Sequence, residues 1–443
     1  MIVPQNRLLF WTGVIALPFA TLAGVYEPAA LLSIALIGCL LLAILADALL
    51  SFTGTDRLNV KCPAVIRGSK DRPARIELHI GNASRKRRRL RIGLGLPASV
   101  ESKHEIMDLA LPDAEWSKLD WPFIGRSRGN FSLSRAYVEA GSPLGFWASR
   151  TVLPMQCQLR IYPNLLTERK NLAALFLNRG AFGVHAQRQV GKGRDFEKLR
   201  EYIPGDSYDE IHWKATAKRG HPVTKVFQIE RTQEIYVIID ASRLSARSSG
   251  SNGRGVPVLE RYITAALVLG LAAERQGDLL GLLTFSDKVE AFVRAKNGKA
   301  HYHACRDAMH ALEPRSVTPD FDELASFIRL RLRRRALLLV LTALDDPVLA
   351  ESFVRNMDLL CRQHLVLVSM IKPRGAEPLF TRGDVRTNDD LYEQLRGHLQ
   401  WHNLRELQKV LQRRGVDFSL LENERLSADL ITQYLNVKRR QLL

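Results

Sequence analysis

Cysteine is scarce in this 443-residue chain. The five present, Cys39, Cys62, Cys157, Cys305 and Cys361, lie far apart, with no Cys-x-x-Cys and no histidine pair at ligand spacing. That argues against a disulfide framework or a structural zinc site and fits a reducing compartment. Acidic residues are also in deficit, with 46 Asp and Glu against 64 Lys and Arg, a formal net charge of +18. A surplus of that size can serve nucleic acid, an anionic membrane face or an acidic partner. No stacking aromatics or binding motif accompany the basic residues, so no nucleic-acid partner is expected.

What the chain does have is length and unevenly placed apolar residues. A sequence of 443 residues implies two or three domains. No charged side chain occurs from Leu8 to Val25, and after Glu27 and Pro28 the chain runs apolar again, with Asp47 the first charge. Each stretch is long enough to cross roughly 30 Å of hydrocarbon as a helix. A cleaved secretory signal is the alternative for the first, but the second apolar run follows at once in place of a polar mature start. Arg57, Lys61, Arg67, Lys70, Arg72 and Arg75 follow the second run, while the connection between the two carries no base. The positive-inside rule then places both ends of the hairpin, and the body that follows, in the cytoplasm at the inner membrane. Asp47 is expected at the interface, with no transport role.

Residues 58–160 read as short strands. "ARIELHIGN" alternates Ile76, Leu78 and Ile80 with polar neighbours, and "RLRIGLGLP", "FSLSRAYVEA" and "CQLRIYP" follow between Gly, Pro and Asn turns. The pattern predicts an antiparallel sandwich of immunoglobulin-like type. The basic stretch around Arg85 to Arg91 fits a charged hairpin near an anionic leaflet.

Residues 193–220, "GRDFEKLREYIPGDSYDEIHWKATAKRG", form a polar run rich in acids, bases and aromatics. Phe196, Leu199 and Tyr202 recur at helical spacing, and Pro204, Gly205 and Asp206 make a turn. Ser207 and Glu210 stand at capping-box spacing, so a second helix is expected with Ile211, Ala215 and Trp213 inward, ended by Gly220. Glu197, Asp206, Asp209 and His212 could act as acids and bases. No spacing among them sets a nucleophile beside a base and an orienting group.

The run "FEKLREYIPGDSYDEIHWKATAKRGHPVTKVFQIERTQEIYVIIDASR" resembles the signature of the bacterial family called domain of unknown function 58. "LREY", "PGD", "IHWKATAKR" and "ER" appear in the family's order, and "RSRGNFSLSRAYVEAGSPLGFW" at 126–147 resembles its "RG" strand and "PLG" turn. One departure is that Asp209 and Glu210 follow "PGD" where the family often has an arginine. The resemblance implies a membrane anchor, a von Willebrand factor A-like domain and association with MoxR-type AAA+ ATPases. It implies an assembly role rather than a known reaction.

From residue 234, continuous apolar strands such as "EIYVIIDAS", "DLLGLLTFS", "ALLLVLTAL" and "LVLVSMIKP" alternate with helical runs. That pattern predicts a mostly parallel sheet covered on both faces, with ligands beyond the carboxyl ends of its strands. The metal site of von Willebrand A domains resembles Asp-x-Ser-x-Ser plus a distant Thr and Asp, an oxygen set suited to Mg²⁺. Asp240 and Ser242 match it and Thr318 is the candidate Thr, but Leu244 replaces the last Ser and Ala343 stands at the nearest equivalent of the final Asp, with Asp345 and Asp346 two and three residues on. The site is therefore read as degenerate, with Asp240 capping a loop and Ser242 satisfying it, and a bound Mg²⁺ is not expected. His301 and His303 would face apart on a helix. Leu391, Leu395, Leu399, Leu404, Leu407 and Leu411 form one stripe, core or partner groove.

The reading is thus a multi-domain protein. A two-helix transmembrane anchor spans 1–52, a β-sandwich module 53–162 and the signature segment 163–232. A von Willebrand A-like, Rossmann-like α/β domain with a mostly parallel sheet covers 233–443. The expected function is a membrane-tethered interaction or assembly module, with Arg200, Pro204, Gly205, Asp206, His212, Trp213 and Lys214 as its interaction surface and no catalytic residue. A metal-dependent enzyme built on Asp240 is the alternative from another class.

Overall fold

The computed structural model describes residues 1–51, 58–83, 88–112, 115–166, 168, 190–204, 206–228, 233–248, 255–379, 381 and 387–440. The chain divides into two compact units, Met1–Asn164 and Leu165–Leu443.

The first unit opens with a short strand, β1 (Ile2–Pro4), followed by two helices, α1 (Asn6–Val25) and α2 (Ala30–Ser51). Both helices have the length and apolarity of membrane spans, with mean hydropathy of 1.9 and 2.5. Each is hydrophobic on all sides, as lipid requires.

The sandwich follows as β2 (Leu58–Lys61), β3 (Val65–Ser69), β4 (Pro73–Asn82), β5 (Arg88–Leu94), β6 (Val100–Glu101), β7 (Ile106–Leu111), β8 (Trp116–Gly125), β9 (Gly129–Gly141) and β10 (Trp147–Tyr162). One sheet has the order β1-β10-β9-β5-β7 with β3 also on β10, and the other the order β2-β4-β8-β6. The expected alternation is present, since Ile76, Leu78 and Ile80 of one sheet and Leu90, Ile92, Leu159 and Ile161 of the other share one buried core. One strand departs from a purely antiparallel sandwich, since β3 runs parallel to β10. β1, from before the two apolar helices, joins the same sheet antiparallel to β10 at Ile2↔Ser149.

Asp47 differs from its expected place. It is fully buried in the protein, enclosed by the turn between β9 and β10. The turn offers its carboxylate three donors, which offset the cost of removing a charge from water.

In the second unit, β11 (Val190–Glu201) pairs antiparallel with β12 (Val223–Gln228). The helix expected over "DFEKLREY" is therefore a strand. Its register shifts between Phe196 and Lys198, and such a bulge inserts a residue that breaks the two-residue alternation, leaving a helix-like spacing. Between the two strands, Tyr208–Glu210 makes one 3₁₀ turn and α3 (Trp213–Arg219) one short helix, ended by Gly220 in the left-handed region at φ 74°.

The α/β domain contains β13 (Glu234–Asp240), α4 (Val258–Gln276), β14 (Leu279–Phe285), β15 (Val289–Lys296), α5 (Lys299–Met309) and α6 (Phe321–Arg331). It continues through β16 (Leu337–Leu341), α7 (Pro347–Leu360), β17 (Leu365–Ile371), α8 (Asn388–Arg413), β18 (Asp417–Leu421) and α9 (Leu426–Arg440). The sheet order is β15-β14-β13-β16-β17-β18, parallel except for edge strand β15. Residues of α4, α5 and α9 form a core on one face, and residues of α6, α7 and α8 one on the other. Strands covered on both sides are apolar throughout, which is why they read so clearly in the sequence.

Candidate functional site

The signature segment is held by its own polar residues. The Arg200 guanidinium donates to Asp206 Oδ1 at 2.6 Å, and the Ile203 N–H and Thr224 hydroxyl donate to Oδ2 at 3.1 and 3.3 Å. The Ile203 N–H, aided by Arg200, holds the Asp206 carboxyl below the usual carboxylate range. His212 caps α3, with Nδ1 accepting from the Ala215 N–H at 3.0 Å, while the Thr216 hydroxyl accepts from the Val223 N–H at 3.0 Å. His212 takes the capping role expected of Ser207, whose side chain makes no cap bond.

These bonds engage Arg200, Asp206 and His212. Ile211 is buried as expected, but Trp213 is 68% exposed, not inward. Ile211 pairs with Thr224, and the helix starts two residues later at Trp213, after the His212 cap. Tyr208 is 76% exposed and stacks with Tyr202, ring centroids 6.2 Å apart. Ile203, Pro204 and Lys214 are exposed on the same segment. Gly205 lies outside the described residues.

The second location is the carboxyl edge of the parallel sheet. Asp240 ends β13 fully buried, its Oδ1 accepting from the Ser242 N–H at 2.8 Å and its Oδ2 from the Thr342 hydroxyl at 2.6 Å. The Ser242 hydroxyl accepts from the Leu244 N–H at 3.3 Å. Burial pushes the Asp240 carboxyl above the ordinary carboxylate range. Thr318 is exposed on its loop, and the neighbouring Val317 carbonyl accepts from the Arg243 N–H at 2.9 Å, which sets that loop against the strand end. The Thr342 hydroxyl meets Asp240 because parallel pairing sets Ile239 beside Leu341 and so places Asp240 level with Thr342.

Mg²⁺ requires near-octahedral oxygen ligands, including carboxylate charge. Both Asp240 oxygens already accept hydrogen bonds, Leu244 is buried apolar, and Ala343 supplies no oxygen. Among the described residues, no group of three or more His, Cys, Asp or Glu could hold a metal ion. At two of the expected positions, 244 and 343, the chain supplies no side-chain oxygen. Nearby, a cavity of about 830 Å³ opens where the strand order reverses, lined by Leu244, Arg247, Arg261, Ala343, Met370 and Arg374 among others.

The remaining sequence features separate by face. His301 turns inward, Nε2 lying 2.7 Å from the Leu280 carbonyl, and His303 is exposed. On α8, Leu404 and Leu411 are buried and Leu407 packs against the core, whereas Leu391, Leu395 and Leu399 are 42%, 43% and 55% exposed. The stripe is core in one half and open surface in the other.

No curated protein matches the chain. Among solved structures, proximal thread matrix protein 1 from the mussel byssus is 11% identical over 46% of this chain and 46% of that one, at TM-score 0.27. An uncharacterized membrane spanning protein from Vibrio fischeri is 16% identical over 46% of this chain and 98% of that one, at TM-score 0.19. A protein of unknown function from Porphyromonas gingivalis W83 is 15% identical over 24% and 49%, at TM-score 0.18. The chain spans about half the length, or less, of the first structures it matches. The model of the family described as protein of unknown function DUF58 matches residues 198–419, from the signature segment through β18. The chain belongs to that family.

Proposed function

We propose that this protein is a membrane-tethered interaction module that presents the signature segment to a protein partner, and that it is not an enzyme. The observation that carries this reading is the division of labour within the segment. Arg200, Asp206 and His212 are engaged in internal hydrogen bonds, while Tyr208 and Trp213 are 76% and 68% exposed. Exposed Tyr and Trp on a braced turn suit an interface anchor, because they bury large area at low entropic cost.

The hairpin α1–α2 anchors the chain in the inner membrane with its body on the cytoplasmic side, in keeping with the basic residues after the second span. The α/β domain is von Willebrand A-like with a degenerate metal site that works without Mg²⁺, a reading supported by the closed hydrogen bonding of Asp240. The partner is a MoxR-type AAA+ ATPase, in line with the family resemblance.

Quantitative co-purification from detergent-solubilised membranes tests the proposal. The intact protein should retain the ATPase, with or without Mg²⁺, and a Tyr208→Ala, Trp213→Ala variant should lose it while melting at the same temperature. Equal retention by the variant would sink the docking surface.

A further inference from the structure

A cavity of about 530 Å³ opens in the first unit at the foot of α1. Arg7, Arg89, Arg91, Asp108, Glu139 and Gly145 contribute to its walls. β5 alternates, so Leu90 and Ile92 enter the sandwich core while Arg89 and Arg91 stand on the opposite face.

The acids there are already engaged. Asp108 Oδ1 accepts from Arg91 Nε at 3.0 Å, and Glu139 accepts from Arg150 Nε at 2.7 Å and from the Gln5 amide at 3.0 Å. Arg7 and Arg89 both line the cavity, and no ion pair to an acid joins either of them among the described residues. The amino end of α1 adds to this positive potential. Its N-cap, Gln5, gives no side-chain cap bond, and its first turn holds no acid. Gly145, at φ +81°, leaves room for Arg7, since a Cβ there would lie 3.2 Å from Arg7 Cδ and Nη1.

The position of the cavity names the occupant. Arg7 is the second residue of the apolar helix Asn6–Val25, within one turn of where hydrocarbon would begin. The turn carrying Gly145 also binds Asp47, four residues before the end of α2, so the cavity lies at the end of the hairpin where both helices meet the sandwich. At that depth phospholipid phosphates are the abundant anions, and arginine pairs with phosphate through two parallel hydrogen bonds.

We propose that this cavity is a binding site for the headgroup of an anionic phospholipid, held by Arg7 and Arg89. The proposal rests on the membrane-anchored reading above. It gives the hairpin a preferred lipid contact at the face where the sandwich meets the bilayer.

Native mass spectrometry of the full-length protein in neutral detergent tests it, with dioleoylphosphatidylglycerol and dioleoylphosphatidylcholine added at equal concentration. One phosphatidylglycerol per chain should be retained well above phosphatidylcholine, and Arg7→Gln with Arg89→Gln should cut that retention about tenfold or more. Arg75→Gln, on the other sheet beside Asp120, should leave it unchanged. Equal retention of the two lipids by the wild-type chain would overturn the proposal, and that comparison needs no variant. Unchanged retention by a double variant of normal melting temperature would do the same. Retention of glycerol 3-phosphate as tightly as the lipid would instead assign the cavity to a soluble phosphate. A chain that stays in solution without detergent would refute the membrane anchor itself, an outcome distinct from an embedded chain with no lipid preference.

Discussion

Ser142 donates a 2.5 Å hydrogen bond from its hydroxyl to Asp47 Oδ2, joining the turn between β9 and β10 to the last turns of α2 across 95 residues of sequence. The Leu144 and Phe146 N–H groups complete the set at 3.0 and 3.1 Å, and Trp147 Nε1 donates to the Ile44 carbonyl at 3.0 Å. The Gln5 N–H, just before α1, donates to the Phe146 carbonyl at 2.8 Å. One turn thus fastens both apolar helices to the sandwich.

Asp47→Ala should destabilise the first unit by about 2–4 kcal/mol, because it strands the buried Phe146 N–H and the part-buried Leu144 N–H and Ser142 hydroxyl. Trp147→Phe removes one bond and should cost about 1 kcal/mol. Thermal unfolding in detergent micelles gives both values, and an Asp47→Ala protein as stable as wild type would show the clamp to be incidental.

The signature turn should respond to acid. The folded Asp206 carboxyl titrates below its unfolded value, so its contribution is present above the unfolded pKa near 4 and is lost as pH falls through the folded value. Hydrogen exchange of the Ile203 amide should be slow at neutral pH relative to Arg200→Ala, and the two proteins should converge as pH falls through the folded value.

Asp240 should behave in the opposite sense. Its folded pKa is raised by burial, so the stability it contributes is complete below the unfolded value and is lost as pH rises through the folded one. Asp240→Asn should therefore melt above wild type at pH 8, with the gap closing toward pH 4. Mg²⁺ should leave both melting curves unmoved. A rise with Mg²⁺ in the wild-type protein alone would restore the metal site.

At the opposite edge of the sheet, the buried Asp278 accepts from the Tyr434 hydroxyl, from Lys438 Nζ at 2.7 Å and from the Gln233 N–H at 3.1 Å, which ties α9 to the start of β14. Lys438→Met leaves that carboxylate without its cation and should cost about 2–4 kcal/mol. Combining it with Asp278→Asn should recover part of the loss, measured as the difference in melting between single and double variants.

Much of the architecture was legible because burial on all sides leaves a strong pattern. The two apolar helices and the strands β13, β14, β16 and β17 show as uninterrupted hydrophobic runs, and the sandwich as alternation at Ile76, Leu78 and Ile80. β11 was hidden by its bulge near Phe196. β1 is three residues whose stability comes from pairing with Ser149, Ala148 and Trp147, and no local pattern announces that.

At the candidate sites, residue types were readable and partners were not. The sequence itself determined a family signature, a pair of membrane-length helices and an Asp240–Ser242 strand end with Leu at 244 and Ala at 343, because these depend on residue identity and local spacing. Tertiary structure alone decided that the Thr342 hydroxyl meets Asp240, that Trp213 faces outward, and that Asp47 is enclosed by the Ser142 turn. Each is a contact set by strand register or chain return, and such contacts join residues that lie far apart along the chain or turn on a single φ/ψ choice that local propensity does not fix.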